Sequence, residues 1–86
     1  LKLAPLKSNT EPYPLYLPLD SLKSELTLKQ QEALKLAYKM GYYELPRSVF
    51  LENLAKEMNI KRRTYEEHLR KAEKKIMSYL VPSLML

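Results

Sequence analysis

The stretch KRRTYEEHLRKAEKK, residues 61–75, carries seven Lys and Arg against three Glu. Its net charge of +4 is most of the chain's formal +5, since residues 1–60 contribute +1 and residues 76–86 none. A cationic surface so concentrated is chemistry for a polyanion. Arginine's planar fork suits phosphate oxygens and the edge of guanine, and Arg62 and Arg63 stand side by side at the front of the stretch. The same composition also describes a solvated helix face laced with i,i+4 Glu–Lys pairs, so charge alone does not decide.

Other chemistries are poorly provided for. The chain has no cysteine, which excludes a disulfide framework and any thiolate metal site. His68 is the single histidine and cannot make a zinc site alone. Within the run EHLR it reads as a structural or phosphate-near residue. Glu66 and Glu67 have no second polar cluster or glycine-rich phosphate loop beside them. They read as solvated helix residues, or as selectors against wrong sequences. With no nucleophile–base pairing and no nucleotide motif, neither an enzyme nor a cofactor is expected. No apolar run approaches membrane-spanning length and no secretory leader opens the chain, which predicts a cytoplasmic protein without a membrane partner. The chain starts at Leu1 rather than methionine, which predicts a piece of something longer.

Positioning the basic stretch requires elements around it, and 86 residues suffice for one small domain. Pro5, Pro12, Pro14 and Pro18 exclude a continuous helix over 1–25. Tyr13, Leu15, Tyr16, Leu17 and Leu19 make this segment too apolar for a plain linker, and it reads as an extended arm that packs on this domain or on a partner. Thr27 and Gln30 form a capping box, and Leu34, Ala37 and Tyr38 recur at helical spacing up to Gly41, predicting a helix over 28–40. Tyr38, Tyr42 and Tyr43 read as core and cap packing with their hydroxyls at the surface. Pro46 biases Leu45 toward an extended conformation. A short helix follows over 51–58, with Leu51, Leu54, Ala55 and Met58 on one face. Asn59 suits a left-handed turn, and Ile60 would plug the core there. The third helix is predicted over 62–80, with Tyr65, Leu69, Ala72, Ile76 and Leu80 as its apolar stripe and Pro82 as its stop. The four methionines read as core filling.

Two helices joined by a three-to-four-residue turn, the second basic outside, make a helix-turn-helix. The class expected is all-α, a trihelical helix-turn-helix unit over 26–86 with a long C-terminal recognition helix and a Pro-rich arm over 1–25. In known docking geometries the first turns of the second helix enter the major groove of duplex DNA. The candidate DNA-binding residues are Lys61, Arg62, Arg63, Thr64, Glu66, Glu67, Arg70 and Lys71, centred on the two arginines. Lys71, Lys74 and Lys75 lie further along, nearer phosphates than bases.

The residues also resemble a known family, the bacterio-opsin-activator-type helix-turn-helix domain of archaeal regulators. The resemblance spans about 27–76 and all three helices. It rests on L-T-x-x-Q-x-x-A-L at Leu26–Leu34, A-Y-x-x-G-Y-Y at Ala37–Tyr43, P-R at Pro46–Arg47, L-A at Leu54–Ala55 and E-H-L-R-x-A-E at Glu67–Glu73. It implies a C-terminal DNA-binding domain attached to an upstream sensor or regulatory domain. Three positions depart from the family pattern. Phe50 stands where Ser or Thr usually caps the second helix, at a cost of about 1 kcal/mol. Asn59 replaces a glycine, and Lys61 replaces a Ser/Thr cap on the recognition helix. The apolar stripe beyond Ile76, with the tail Val81–Leu86, predicts a homodimer. The competing expectation is a protein-interaction module that docks on transcription machinery or a regulatory partner.

Overall fold

A computed structural model describes residues 19–86. It is all-α over these residues, with four helices in the order α1 (Leu19–Glu25), α2 (Leu28–Lys39), α3 (Leu51–Glu57) and α4 (Arg62–Leu84). The expected arm residues Tyr13, Leu15, Tyr16 and Leu17 lie outside the described residues. Leu19, expected to be extended, instead begins α1. Seven residues give too little periodicity to announce a helix, and short helices depend on tertiary contacts to form. Here α4 supplies them. The Tyr79 hydroxyl donates to Glu25 Oε2 at 2.8 Å, and Lys75 Nζ donates to the Glu25 carbonyl at 2.6 Å.

α2 starts as the capping box requires. Gln30 N–H donates to Thr27 Oγ1 at 3.1 Å, and Thr27 N–H donates back to Gln30 Oε1 at 3.2 Å. Gln30 is the buried polar residue of the described core, and its amide oxygen also accepts from Lys75 Nζ at 2.9 Å. The cap therefore anchors the middle of α4 as well as starting α2.

α2 and α3 end in the same way. Gly41 N–H donates to Tyr38 O and Tyr42 N–H to Ala37 O, while Asn59 N–H donates to Lys56 O and Ile60 N–H to Ala55 O. Each pair is a Schellman closure, which needs a left-handed residue just past the helix. Gly41 has φ 88° and Asn59 φ 57°. At Gly41 a Cβ would also collide with Ser48 Oγ, which now donates to the Met40 carbonyl at 3.0 Å. Gly41→Ala is expected to destabilise the domain by about 2 kcal/mol, from left-handed strain plus displacement of Ser48. Urea titration followed by circular dichroism reads the change.

The core lies where α4 crosses α2 and α3. Ala33, Ala37, Tyr42, Val49, Leu51, Leu54, Ala55, Tyr65 and Leu69 cluster there, with Leu34, Leu36, Met58 and Ile60 packed against them. Ala33, Ala37, Ala55 and Ala72 are all buried. Side chains this small let the helices approach closely. The large members Tyr65, Leu54 and Leu69 then fill the remaining volume, each burial being worth about 1.5–3 kcal/mol.

Three packing expectations need correction. Tyr38 is 72% exposed, because α2 turns Gln30, Ala33 and Ala37 inward and so puts Tyr38 on the outside. Of the methionines only Met58 packs on the core; Met40, Met77 and Met85 are exposed. Pro82 does not stop α4, which runs on to Leu84. Proline's missing N–H removes one ladder partner, that of the Ser78 carbonyl, at an exposed position where water can replace it. Met85 N–H then closes the helix on Pro82 O at 3.1 Å.

Candidate nucleic-acid interface

α3, the turn 58–61 and the front of α4 build the candidate site. The Asn59 turn carries the chain from Met58 to Lys61, the residue before α4, whose backbone is extended at φ −71° and ψ 149°. Lys61 places no side chain on the end of α4, and likewise Phe50 cannot cap α3. The opening of α3 is partly made good by Asn53, whose Oδ1 accepts from Phe50 N–H at 3.1 Å. With Tyr65 and Leu69 turned fully inward, α4 presents Lys61, Arg62, Arg63, Glu67, Arg70 and Lys71 exposed and Thr64, Glu66 and His68 half-buried. The structure thus brings the eight candidate residues onto one end of one helix.

Their electrostatic states differ. Arg62 is flanked by two carboxylates, its Nε 3.4 Å from Glu52 Oε2 on α3 and its Nη1 3.7 Å from Glu66 Oε1 one turn along. Lys71 pairs with Glu67 at 4.0 Å. Lys61, Arg63 and Lys74 make no ion pair among the described residues. Helical spacing aligns Arg63, Glu67, Arg70 and Lys74 along the side opposite the core.

Arg70 is engaged differently. Its Nη2 donates to the Tyr42 hydroxyl at 2.9 Å and its Nη1 to Glu73 Oε1 at 2.9 Å, with Glu66 3.7 Å away. The Tyr43 hydroxyl donates to Glu73 Oε2. Arg47 stacks 4.1 Å from the centre of the Tyr42 ring and donates from Nε to the Tyr42 carbonyl at 2.8 Å. Tyr42 and Tyr43 meet edge to face with ring centres 5.2 Å apart. Hydrogen bonds to Tyr42 and Glu73 hold the Arg70 guanidinium still more firmly in its charged form, and burial together with the Glu73 carboxylate pushes the Tyr43 hydroxyl up. This cluster ties the 40–50 connection to the middle of α4 and fixes how the front of α4 projects. Lys75, expected near phosphates, is turned back onto Glu25 and Gln30.

Glu52, Tyr42, Tyr43 and Arg47 were not singled out from sequence as partners of α4. The pairs Arg62–Glu66, Glu66–Arg70 and Arg70–Glu73 are legible as i,i+4 and i,i+3 spacings. Contacts across the turn or the connection have no such sequence signal. Among the described residues there is no group of His, Cys, Asp or Glu able to hold a metal ion, and no helix is long and apolar enough to cross a membrane.

Comparison with known proteins matches residues 26–78 to the family model described as an HTH DNA binding domain. The chain belongs to the bacterio-opsin-activator-type helix-turn-helix family. In this helix-turn-helix domain α3 and α4 are the paired helices and α2 is the support behind them. The chain is similar to the transcriptional regulator NarO of Haloferax volcanii, with 37% identity over 59 residues, 69% of this chain and 28% of that protein. It is also similar to the bacterioopsin transcriptional activator of Halobacterium salinarum, with 40% identity over 58 residues, 67% of this chain and 9% of that protein. The chain thus spans less than a third of the length of either relative. No solved structure matches it.

Proposed function

We propose that this helix-turn-helix domain reads duplex DNA sequence-specifically through Lys61, Arg62, Arg63, Thr64, Glu66 and Glu67, with Lys71 and Lys74 on flanking phosphates. The observation that carries the reading is the exposed run Lys61–Arg63 at the front of α4, directly after the left-handed turn at Asn59. That run meets the groove in the docking geometry of this motif. The helix end there is free of any side-chain cap, so its backbone N–H groups add donors suited to a phosphate. Arg70, held by Tyr42 and Glu73, serves the scaffold in this reading.

The test is binding of labelled duplex measured by fluorescence anisotropy over a salt series. Neutralising several phosphates releases counterions, so log K is expected to fall against log salt with a slope of about −3 to −5. Affinity that ignores salt would count against the reading.

The domain would be the DNA-binding end of a longer transcription regulator, acting in the cytoplasm and governed by an upstream sensor or regulatory domain. It would act as a homodimer. Met77, Leu80, Val81 and Leu84 recur at i, i+3, i+4 and i+7 on the far half of α4, and all but Leu80 are largely exposed. Half-sites of a two-fold operator lie about one DNA turn, about 34 Å, apart, so the homodimer would have to present its two recognition helices at that spacing. Sedimentation at micromolar concentration should give twice the chain mass, and Val81→Glu with Leu84→Glu should return the monomer. A monomer for the unaltered chain would remove the dimer from the proposal.

A further inference from the structure

Glu52 stands in the first turn of α3 and Arg62 in the first turn of α4, so their ion pair at 3.4 Å joins the fronts of the two helices. The contact is made through Arg62 Nε, and Nη1 is 3.7 Å from Glu66, so two carboxylates flank the guanidinium. Glu66 is shared with Arg70, whereas Glu52 pairs with no other cation among the described residues. Arg63, beside it, makes no ion pair among the described residues. Two neighbouring arginines thus differ, Arg62 flanked by two carboxylates and Arg63 in no ion pair among the described residues.

A carboxylate at an edge that faces phosphates weakens binding to every duplex. Bidentate contact with guanine, however, demands that the arginine fork be aimed, and a carboxylate on Nε supplies that aim. We propose that Glu52 is a positioning residue that orients Arg62 toward a guanine, giving up general affinity for discrimination at one base position. This rests on the reading of the front of α4 as the base-reading edge.

The experiment selects bound sequences from a random duplex pool with the 86-residue chain and with the variants R62Q, R63Q, E52Q, E52D and E52Q/R62Q. Each variant is also titrated against a duplex lacking the selected site. R62Q is expected to erase one guanine position and R63Q to affect a different one. E52Q should weaken discrimination at the Arg62 position by about three- to fivefold, part of what one bidentate contact supplies and within what a half-exposed ion pair contributes. It should also raise affinity for the non-specific duplex about two- to threefold, since one negative charge has gone. E52D keeps the charge but shortens the reach, so it should lose discrimination as E52Q does without the non-specific gain. In the R62Q background E52Q should change no base preference.

The proposal is overturned if E52Q leaves the guanine preference intact, if it acts equally at positions R62Q does not touch, or if E52D behaves as the unaltered chain. A different failure, in which neither R62Q nor R63Q alters selection or affinity, would sink the base-reading edge itself and this proposal with it. Glu52 and Arg62 are both exposed, and thermal unfolding of each variant confirms that the fold is retained.

Discussion

Replacing Arg62 and Arg63 together by alanine is expected to lower duplex affinity about 30- to 1,000-fold, while the melting temperature stays within a few degrees. Each arginine that contacts a base edge or phosphate is taken at about 1–2 kcal/mol, the lower part of the range for a good bidentate pair, and two neighbours on one helix front sum to about 2–4 kcal/mol. The salt slope should flatten by about one to two, because up to two cations no longer displace counterions. Stability is spared because both side chains are exposed and the pairs of Arg62 with Glu52 and Glu66 are half-exposed contacts of the kind that contribute about 0–1 kcal/mol. Lys75→Ala is the internal contrast. Its ammonium is bonded to Glu25 and Gln30, so the loss should appear in stability and in the docking of α1, with little change in DNA affinity. Anisotropy titration and thermal melts on the same samples separate the two outcomes. An unchanged affinity in the double arginine variant would show that α4 does not read DNA by its front.

Tyr65→Ala is expected to unfold much of the protein at room temperature. The residue is fully buried, and its hydroxyl donates to the Ala33 carbonyl at 2.7 Å, so one side chain both fills the core and ties α4 to α2. Removing a buried aromatic ring costs about 3–5 kcal/mol, and a domain this small has about 5 kcal/mol in all. Tyr65→Phe isolates the hydrogen bond and should cost only about 1 kcal/mol.

Tyr65→Phe should also differ from the parent in alkali. Burial, with smaller contributions from Tyr42 and Glu73, pushes the Tyr65 hydroxyl up to about 12, against about 10 in the unfolded chain. The folded state therefore keeps a proton that the unfolded state has given up. The stabilisation linked to Tyr65 is fully present below pH 10 and is lost as pH rises from 10 through 12. Tyr43 and Tyr79 are shifted in the same direction and steepen the fall. Denaturant midpoints recorded from pH 8 to 12 should decline above 10, and Tyr65→Phe should show a shallower decline. A flat profile in the parent would show that the hydroxyl is not held as the geometry implies.

The sequence by itself determined the local half of this protein. Capping and turn chemistry act over three to five residues, so Thr27 with Gln30, Gly41 and Asn59 marked their helix ends and left-handed turns directly. The 4, 3, 4, 4 spacing of Tyr65, Leu69, Ala72, Ile76 and Leu80 likewise turned α4 the right way, leaving its basic side outward. Tertiary structure decided which cations remain free for a ligand. Arg70 and Lys75 look like Arg63 and Lys74 in composition and spacing. The first two are claimed by Tyr42, Glu73, Gln30 and Glu25, residues 3 to 50 positions away in sequence. The apolar positions of α1 and α2 were equally undecided until α4 lay across them, which is why Leu19–Glu25 and the outward Tyr38 went unread. The basic stretch thus holds two sets of cations: Lys61, Arg62, Arg63, Lys71 and Lys74 face out, while Arg70 and Lys75 hold the domain together. Periodicity specifies which side of a helix is apolar, and only the packed neighbours specify which charges they neutralise.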